Sequence, residues 1–148
     1  MKLFFLFILL FLFGCTSSPL IGPFTVTRVI DGDTLILHTG DTIRLLGIDT
    51  PEKDACYYTE AKNKLTSLTL NKVVYLQQDS LYTDRYGRLL RSVFLENGTH
   101  VNLLLIEEGY ARVYDEYAKK THLYSRLLSL QAEAQNTTLG LWKDCRKT

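Results

Sequence analysis

The stretch FTVTRVIDGDTLILHTGDTIRLLGI, residues 24–48, determines the predicted fold. It contains three runs rich in β-branched and apolar residues, 24–30, 34–39 and 42–48, separated by Asp31-Gly32 and Gly40-Asp41. Asp-Gly and Gly-Asp pairs between such runs are typical of tight hairpin turns. The sequence therefore predicts an antiparallel meander of three strands.

The remainder of the chain alternates between predicted helices and strands. Ala61, Leu65 and Leu68 recur at helical spacing and predict a helix over Tyr58–Leu70. The later segments are predicted as strands at 73–77 and 89–95, helices at 101–108 and 121–135, and an extended segment at 111–114. Five strands with a helix after the third predict a mainly β protein with helices, a five-stranded OB-fold Greek-key barrel with about three helices.

The first residues have the order of a signal peptide. Lys2 precedes an apolar run of about eleven residues, which is shorter than the roughly twenty that span a bilayer. Residues 1–14 are predicted as a lipoprotein-type signal peptide, because Leu12-Phe13-Gly14-Cys15 resembles a lipoprotein cleavage box with Cys15 as the lipidated residue. Ordinary cleavage near Gly14 and an uncleaved anchor are the alternatives. We expect an extracytoplasmic protein, membrane-anchored or secreted, with a tether at 16–23 and one domain at 24–146.

The charge of this domain is balanced. The chain has 17 basic and 16 acidic residues, and one of the basic residues, Lys2, lies in the predicted signal peptide. A neutral domain has no overall field that attracts polyanions. Binding of nucleic acid would therefore depend on a local basic patch and would be sensitive to salt.

Three cysteines fit an exported protein. If Cys15 carries lipid, Cys56 and Cys145 remain, and an even number in an oxidising compartment predicts one disulfide. Closing this loop of roughly ninety residues would stabilise the fold by about 4 kcal/mol. Two free thiols are the alternative.

The segment Arg44–Glu52, RLLGIDTPE, carries the strongest signal for chemistry. Arg44 lies within an otherwise apolar strand, where a guanidinium is costly to bury unless an anion meets it. Asp49 and Glu52 follow where the strand ends, and Pro51 stiffens the turn between them. These groups can face one point, although a structural ion pair that closes the barrel is the competing interpretation.

Two other polar clusters are less specific. Asp31-Gly32-Asp33-Thr34 is equally typical of a solvated turn, and Asp84-Arg85-Tyr86-Gly87-Arg88 of an exposed charged hairpin. The Tyr-Gly turn in the second cluster could present Arg88 at the mouth of the barrel.

The three clusters, in this order and spacing, resemble the staphylococcal nuclease (thermonuclease) family. Gly109-Tyr110-Ala111-Arg112-Val113 and Gly140-Leu141-Trp142 extend the resemblance to residues 24–143. It implies three catalytic side chains, Arg44, Glu52 and Arg88, and calcium ligands from the carboxylates of Asp33 and Asp49 and the backbone carbonyl of Thr50. It also implies substrate contacts from Arg85, Tyr86, Tyr114 and Tyr117.

The resemblance implies a calcium-dependent phosphodiesterase. Such an enzyme hydrolyses DNA and RNA to products with 3′-phosphate ends, and we expect it to prefer single strands and to act as a monomer. A catalytically inactive nucleic-acid or protein binding module tethered to the membrane is the alternative. A lipoprotein with a structural role in the envelope is a third hypothesis, which depends on the N-terminus alone.

Overall fold

The predicted five-stranded barrel is present in the computed structural model, which describes residues 18–145. The strands in this range are β1 (Ile21–Val29), β2 (Thr34–Leu37), β3 (Thr42–Leu45), β4 (Ile48–Asp49), β5 (Val73–Gln77), β6 (Leu89–Leu95) and β7 (Arg112–Val113). The barrel closes in the order β1-β2-β3-β6-β5, and β3 and β6 are its one parallel pair. Residues 1–17, which include the predicted signal peptide and Cys15, lie outside the described residues.

Residues 18–145 also contain five helices. They are α1 (Tyr58–Thr69), α2 (Val101–Glu107), α3 (Asp115–Ala118), α4 (Tyr124–Asn136) and α5 (Leu141–Asp144). Of these, α1 packs on β1 and α2 on β6. The three longer helices were predicted, whereas the single turns α3 and α5 are too short to show a helical period. The predicted start of α4 at Thr121 is wrong, because the amide and hydroxyl of Thr121 both donate to the carbonyl of Ala118 and close the turn after α3.

The predicted tether at 16–23 is wrong in its last three residues. β1 begins at Ile21, where that residue pairs with Leu76 of β5. Its partner strand lies more than fifty residues further along the chain, so the pairing leaves no local signal. The barrel domain therefore begins before residue 24.

The predicted third strand, 42–48, is divided into two. β3 ends at Leu45, and the chain bends at Gly47, whose φ is 80°. A Cβ at Gly47 would lie 3.0 Å from Cδ1 of Leu127 in α4, a tight contact that adds to the strain of a side chain at this φ. After the bend, β4 leaves the barrel and pairs with β7, with Asp49 opposite Arg112.

A buried amide fixes the start of this bend. Asn102 of α2 is fully buried, and its Oδ1 accepts a hydrogen bond from the amide of Val93 at 2.9 Å. Its Nδ2 donates to the carbonyls of Leu46 at 3.0 Å and Arg91 at 3.2 Å. The side chain thus ties α2 to β6 and to the segment that leads into β4, and it satisfies backbone groups that would be costly to bury unpaired.

His100 gives the fold a dependence on pH. Its ring packs on Phe94 with centroids 4.4 Å apart, and neither ring nitrogen has a hydrogen-bond partner among the described residues. Burial is the main reason why the pKa of His100 falls to about 4, and His122 lowers it further. Between this pKa and the ordinary value near 6.5, the unfolded state binds more protons than the folded state.

We therefore expect the free energy of unfolding to decrease as the pH falls from about 6.5 to about 4, by roughly 3 kcal/mol at most from this residue. Urea unfolding at several pH values, for the wild type and His100→Phe, measures the contribution. The variant should lose part of the decline. An identical decline in both proteins would show that other groups cause it.

Candidate active site

The turn between β1 and β2 places Asp33 under the mouth of the barrel. Its carboxylate is buried, and its Oδ2 accepts hydrogen bonds from the amide of Thr50 at 2.8 Å and from the Thr50 hydroxyl at 2.9 Å. Gly32 makes this approach possible, because a Cβ there would lie 2.7 Å from the Thr50 hydroxyl. The turn and the segment after β4 are therefore held together at this carboxylate.

Arg44 of β3 joins the two carboxylates predicted to bind metal. Its Nε lies 3.2 Å from Oδ1 of Asp33, and its Nη2 donates to Oδ1 of Asp49 at 2.8 Å. Its Nη1 donates to the carbonyls of Leu45 and Ile48. Three of the five N–H groups of the guanidinium make hydrogen bonds, the Nε–H group faces Asp33 in an ion pair, and one is left for another acceptor. These contacts offset the desolvation penalty of burying the positive charge of Arg44.

The electrostatics of Asp33 reflect this setting. Burial is the largest influence and raises the pKa of Asp33 to about 6, while the positive charge of Arg44 opposes the increase and the negative charge of Asp31 adds to it. One arginine therefore does not fully offset the burial of this carboxylate. A further positive charge nearby would favour its ionised form.

Glu52 lies on a turn beyond β4. It is exposed, and within the described residues its carboxylate makes no hydrogen bond or ion pair. Its carbonyl accepts a hydrogen bond from the amide of Ala55 at 2.9 Å, which closes the turn. Cys56 follows four residues after Glu52 and forms a disulfide with Cys145, with Cα atoms 5.7 Å apart.

Arg88 is held by a carboxylate that the sequence analysis did not select. The side chain of Asp84 is fully buried, and its Oδ2 accepts a hydrogen bond from Nε of Arg88 at 2.6 Å. Its Oδ1 accepts bonds from the amides of Tyr86 at 2.8 Å and Arg88 at 3.0 Å. Burial alone would raise the pKa of Asp84, but these hydrogen bonds outweigh it and lower the pKa. Asp84 therefore fixes both the turn and the guanidinium. The sequence signal for this ion pair is an acid four residues before an arginine, with a Tyr-Gly turn between them.

Most of the predicted residues line one cavity of about 370 Å³. From the predicted set it includes Asp33, Arg44, Asp49, Glu52, Arg85, Tyr86, Arg88, Tyr114 and Tyr117, and two acids that were not predicted, Asp31 and Glu116. Thr50 lines a neighbouring cavity instead and reaches Asp33 through its hydrogen bonds. The structure thus brings the three sequence clusters together, while the individual roles remain predictions.

Aromatic and basic groups surround the opening of this cavity. The guanidinium of Arg85 lies 4.9 Å from the ring centroid of Tyr86, which is 69% exposed. Tyr114 and Tyr117 meet edge to face at 5.0 Å, and the Tyr114 hydroxyl donates to Oε2 of Glu116 at 2.6 Å. An anion could meet the arginines here while a flat group stacks on an exposed ring.

Whether the acids could hold a cation follows from their chemistry. Asp33 and Asp49 offer hard oxygen donors on one wall of the cavity, and calcium accepts such donors in loose geometry. Residues 18–145 contain no group of three or more acids, histidines or cysteines arranged for a metal. Two carboxylates, of which Asp33 is buried and only partly offset by Arg44, fit a weak cation site. Water and substrate would supply its remaining ligands.

Comparison with known proteins places these features in a family. Residues 42–144, which include Arg44, Asp49, Glu52 and Arg88, match the family model described as staphylococcal nuclease homologue. The chain is 37% identical over 125 residues to an uncharacterized endonuclease of Escherichia coli O157:H7, and the match covers 80% of this chain and 76% of that protein.

Two other relatives carry nuclease names. A micrococcal nuclease of Shigella flexneri is 33% identical over 130 residues, with 80% of this chain and 72% of the relative covered. Endonuclease YncB of Bacillus subtilis is 34% identical over 128 residues, with 80% and 60% covered. No helix within residues 18–145 has both the length and the apolar character needed to cross a membrane.

Proposed function

Because the chain belongs to the staphylococcal nuclease family, we propose that it is a calcium-dependent phosphodiesterase that hydrolyses DNA and RNA, with a preference for single strands, and leaves 3′-phosphate ends. One observation carries this proposal. A single cavity brings Arg44 and Arg88 together with the carboxylates of Asp33 and Asp49, which both contact Arg44, and with the exposed carboxylate of Glu52, which has no hydrogen-bond or ion-pair partner within residues 18–145.

The two arginines have different capacities to bind a phosphate. Arg44 keeps one N–H group beyond its protein contacts, so it acts mainly through charge and position. Arg88 uses its Nε on Asp84, and its Nη1 has only a long contact of 3.5 Å with the Thr34 hydroxyl. Its outer nitrogens can therefore form the paired hydrogen bonds that suit two phosphate oxygens.

Glu52 is proposed as the general base. A base must reach the water that attacks phosphorus, and the carboxylate of Glu52 is exposed on the wall of the same cavity. Asp33 and Asp49 are occupied by Arg44, so Glu52 differs from them in having its acceptor sites available. Its location on a turn at the rim allows a strand to enter beside it.

Calcium would be held by Asp33, Asp49 and the carbonyl of Thr50. Asp33 already accepts hydrogen bonds from the amide and hydroxyl of Thr50 and from the Thr34 hydroxyl, and it forms an ion pair with Arg44, so a cation would replace one of these contacts. The Thr34 hydroxyl can rotate away at the lowest cost. When bound, the ion would supply Lewis-acid stabilisation of charge on the phosphate oxygens.

The substrate is expected to stack on the tyrosines at the rim. Tyr86 is exposed beside Arg85, and Tyr114 and Tyr117, which contact each other, line the same cavity. Stacking accepts any base and requires unpaired strands, which supports the preference for single strands. Because binding would depend on the arginines of this cavity, each of which can neutralise a phosphate, it should weaken as salt increases.

The site of action is proposed to be outside the cytoplasm, with the protein secreted or anchored through lipid at Cys15. The disulfide between Cys56 and Cys145 supports this proposal, because such bonds persist in oxidising compartments. The lipid attachment itself depends on sequence alone.

The proposed function is tested with the chain lacking residues 1–15. Denatured DNA, duplex DNA and RNA are incubated with it in calcium and in excess chelator. We expect cleavage in calcium, fastest on denatured DNA, and none in chelator. A folded protein that binds the DNA but leaves it intact in both conditions would instead be the inactive binding module. Undiminished cleavage in chelator would remove calcium from the proposal.

A further inference from the structure

The disulfide connects the turn that carries Glu52 to the C-terminal helix. Cys56 follows Glu52 by four residues, and Cys145 comes directly after α5, 89 residues further along the chain. Glu52, Cys56 and Cys145 line one small cavity of about 310 Å³, which also contains Asp49 and Arg112. The covalent bond therefore forms part of the wall next to the candidate active site.

The turn itself has few other attachments. Residues 52–56 are all exposed, and Asp54 and Tyr57 have positive φ values of 69° and 71°. The backbone bonds from Ala55 to Glu52 and from Tyr58 to Ala55 are local. At its far end the ring of Tyr57 packs on Tyr110 at 5.6 Å. A segment held mainly by its own short-range contacts is expected to move unless something fixes it to the body of the protein.

The other end of the disulfide is well anchored. Leu141 is buried, and its amide donates to the carbonyl of Gly109 at 2.9 Å. Gly109 and Gly140 pack so closely that a Cβ on Gly140 would lie 2.3 Å from the Gly109 carbonyl oxygen. Nearby, Arg112 covers the ring of Trp142 at 5.1 Å.

These contacts close a ring around the turn. Arg112 of β7 pairs with Asp49 of β4. The contacts of α5 therefore lead through β7 and β4 to Asp49, three residues before Glu52. The disulfide supplies the link that completes this path at Cys56. The disulfide therefore adds a fixed point at Cys56, closer to Glu52 than the packing of Tyr57 on Tyr110.

We propose that the Cys56–Cys145 disulfide positions Glu52 for catalysis, so that the enzyme reaches full activity only in its oxidised form. This inference depends on the proposed function. Reduction by a dithiol converts the bond to two thiols, while the dithiol becomes a cyclic disulfide. The released turn would then sample positions in which the Glu52 carboxylate is misplaced. Because misplacement by about 1 Å can cost on the order of 100-fold, we expect kcat to fall by about 10- to 100-fold.

The test compares kcat and KM for denatured DNA in calcium, at a temperature where circular dichroism shows every protein to be folded. The proteins are the oxidised wild type, the wild type with dithiol, and Cys56→Ser/Cys145→Ser with and without dithiol. We expect loss of kcat with a small change in KM, and no effect of dithiol on the double variant. If the disulfide is purely stabilising, its removal would lower the melting temperature and leave kcat of the folded protein unchanged, which would overturn the inference.

A Glu52→Gln background separates positioning of this side chain from a general loosening of the site. If the disulfide acts through Glu52, its removal should lower the residual rate of Glu52→Gln by less than about twofold. An equal fractional loss in both backgrounds would contradict the inference.

A second variant tests the inference in a protein that keeps the disulfide, so its result does not require the reduced protein to fold. One glycine inserted between Lys53 and Asp54 keeps the disulfide but lengthens the connection to Glu52, and we expect a similar loss of kcat. A glycine inserted after Asn97, in the exposed turn after β6, is the matched control. Normal kcat for the first insertion would overturn the inference. An inactive oxidised wild type would overturn the proposed function, and the inference with it.

Discussion

Glu52→Gln is expected to lower kcat for denatured DNA by about 10²- to 10⁴-fold, the range typical of losing a general base. Glutamine keeps the size of the side chain but cannot accept a proton from water. The carboxylate of Glu52 is exposed and makes no hydrogen bond or ion pair within residues 18–145, so the substitution should leave the fold intact.

The rate of Glu52→Gln is measured with saturating calcium and compared with that of Glu116→Gln. Glu116 lines the same cavity but accepts a hydrogen bond from Tyr114, so its substitution should change kcat far less. Binding of a nucleotide to Glu52→Gln should stay close to the wild-type value. Near-normal kcat for Glu52→Gln would remove this residue from its proposed role.

Arg88→Gln is expected to produce the second large loss, about 10²- to 10³-fold in kcat, comparable with removal of a donor that stabilises transition-state charge. The outer nitrogens of Arg88 are the best placed to pair with phosphate oxygens, because Asp84 holds only its Nε. The substitution also leaves the buried Asp84 without its charged partner, so stability should fall by about 1–3 kcal/mol.

The matched control for Arg88→Gln is Arg85→Gln, three residues away on the same hairpin. Arg85 contacts the ring of Tyr86 and has no buried carboxylate partner among the described residues, so its loss should mainly raise KM. The two variants are compared by steady-state kinetics. The conditions are those in which thermal melting shows both to be folded. Equal effects on kcat in the two variants would argue against a special role of Arg88.

The meander of β1, β2 and β3 was predictable because its signals are local. Turn dipeptides and β-branched runs lie within a few residues of each other in 24–48, and the sequence alone is enough to place β2 and β3. The bend at Gly47 was not predictable in the same way. It depends on the approach of Leu127 from α4, eighty residues away, and on the bonds of Asn102.

The candidate site shows the same division. Arg44, Asp49 and Glu52 lie within nine residues, so their convergence could be predicted, and the structure places them on one cavity. Asp84 was not selected because its role depends on two features of the folded hairpin. These are the burial of its carboxylate and the hydrogen bond that it accepts from the amide of Arg88. The sequence also left the state of Cys56 and Cys145 open, because two free thiols and one disulfide are both compatible with the same residues.

The most direct test of the account is the rate of cleavage of denatured DNA as a function of free calcium, for the wild type, Asp33→Asn and Asp31→Asn. Both aspartates line the cavity, but Asp33 alone is bonded to Arg44 and Thr50. We predict that the wild-type rate rises to a plateau with calcium and vanishes in chelator. Asp33→Asn should raise the calcium midpoint at least about tenfold, and Asp31→Asn much less. Cleavage that is independent of calcium, or a midpoint unchanged by Asp33→Asn, would contradict the proposal that these residues form a metal-assisted phosphodiesterase site.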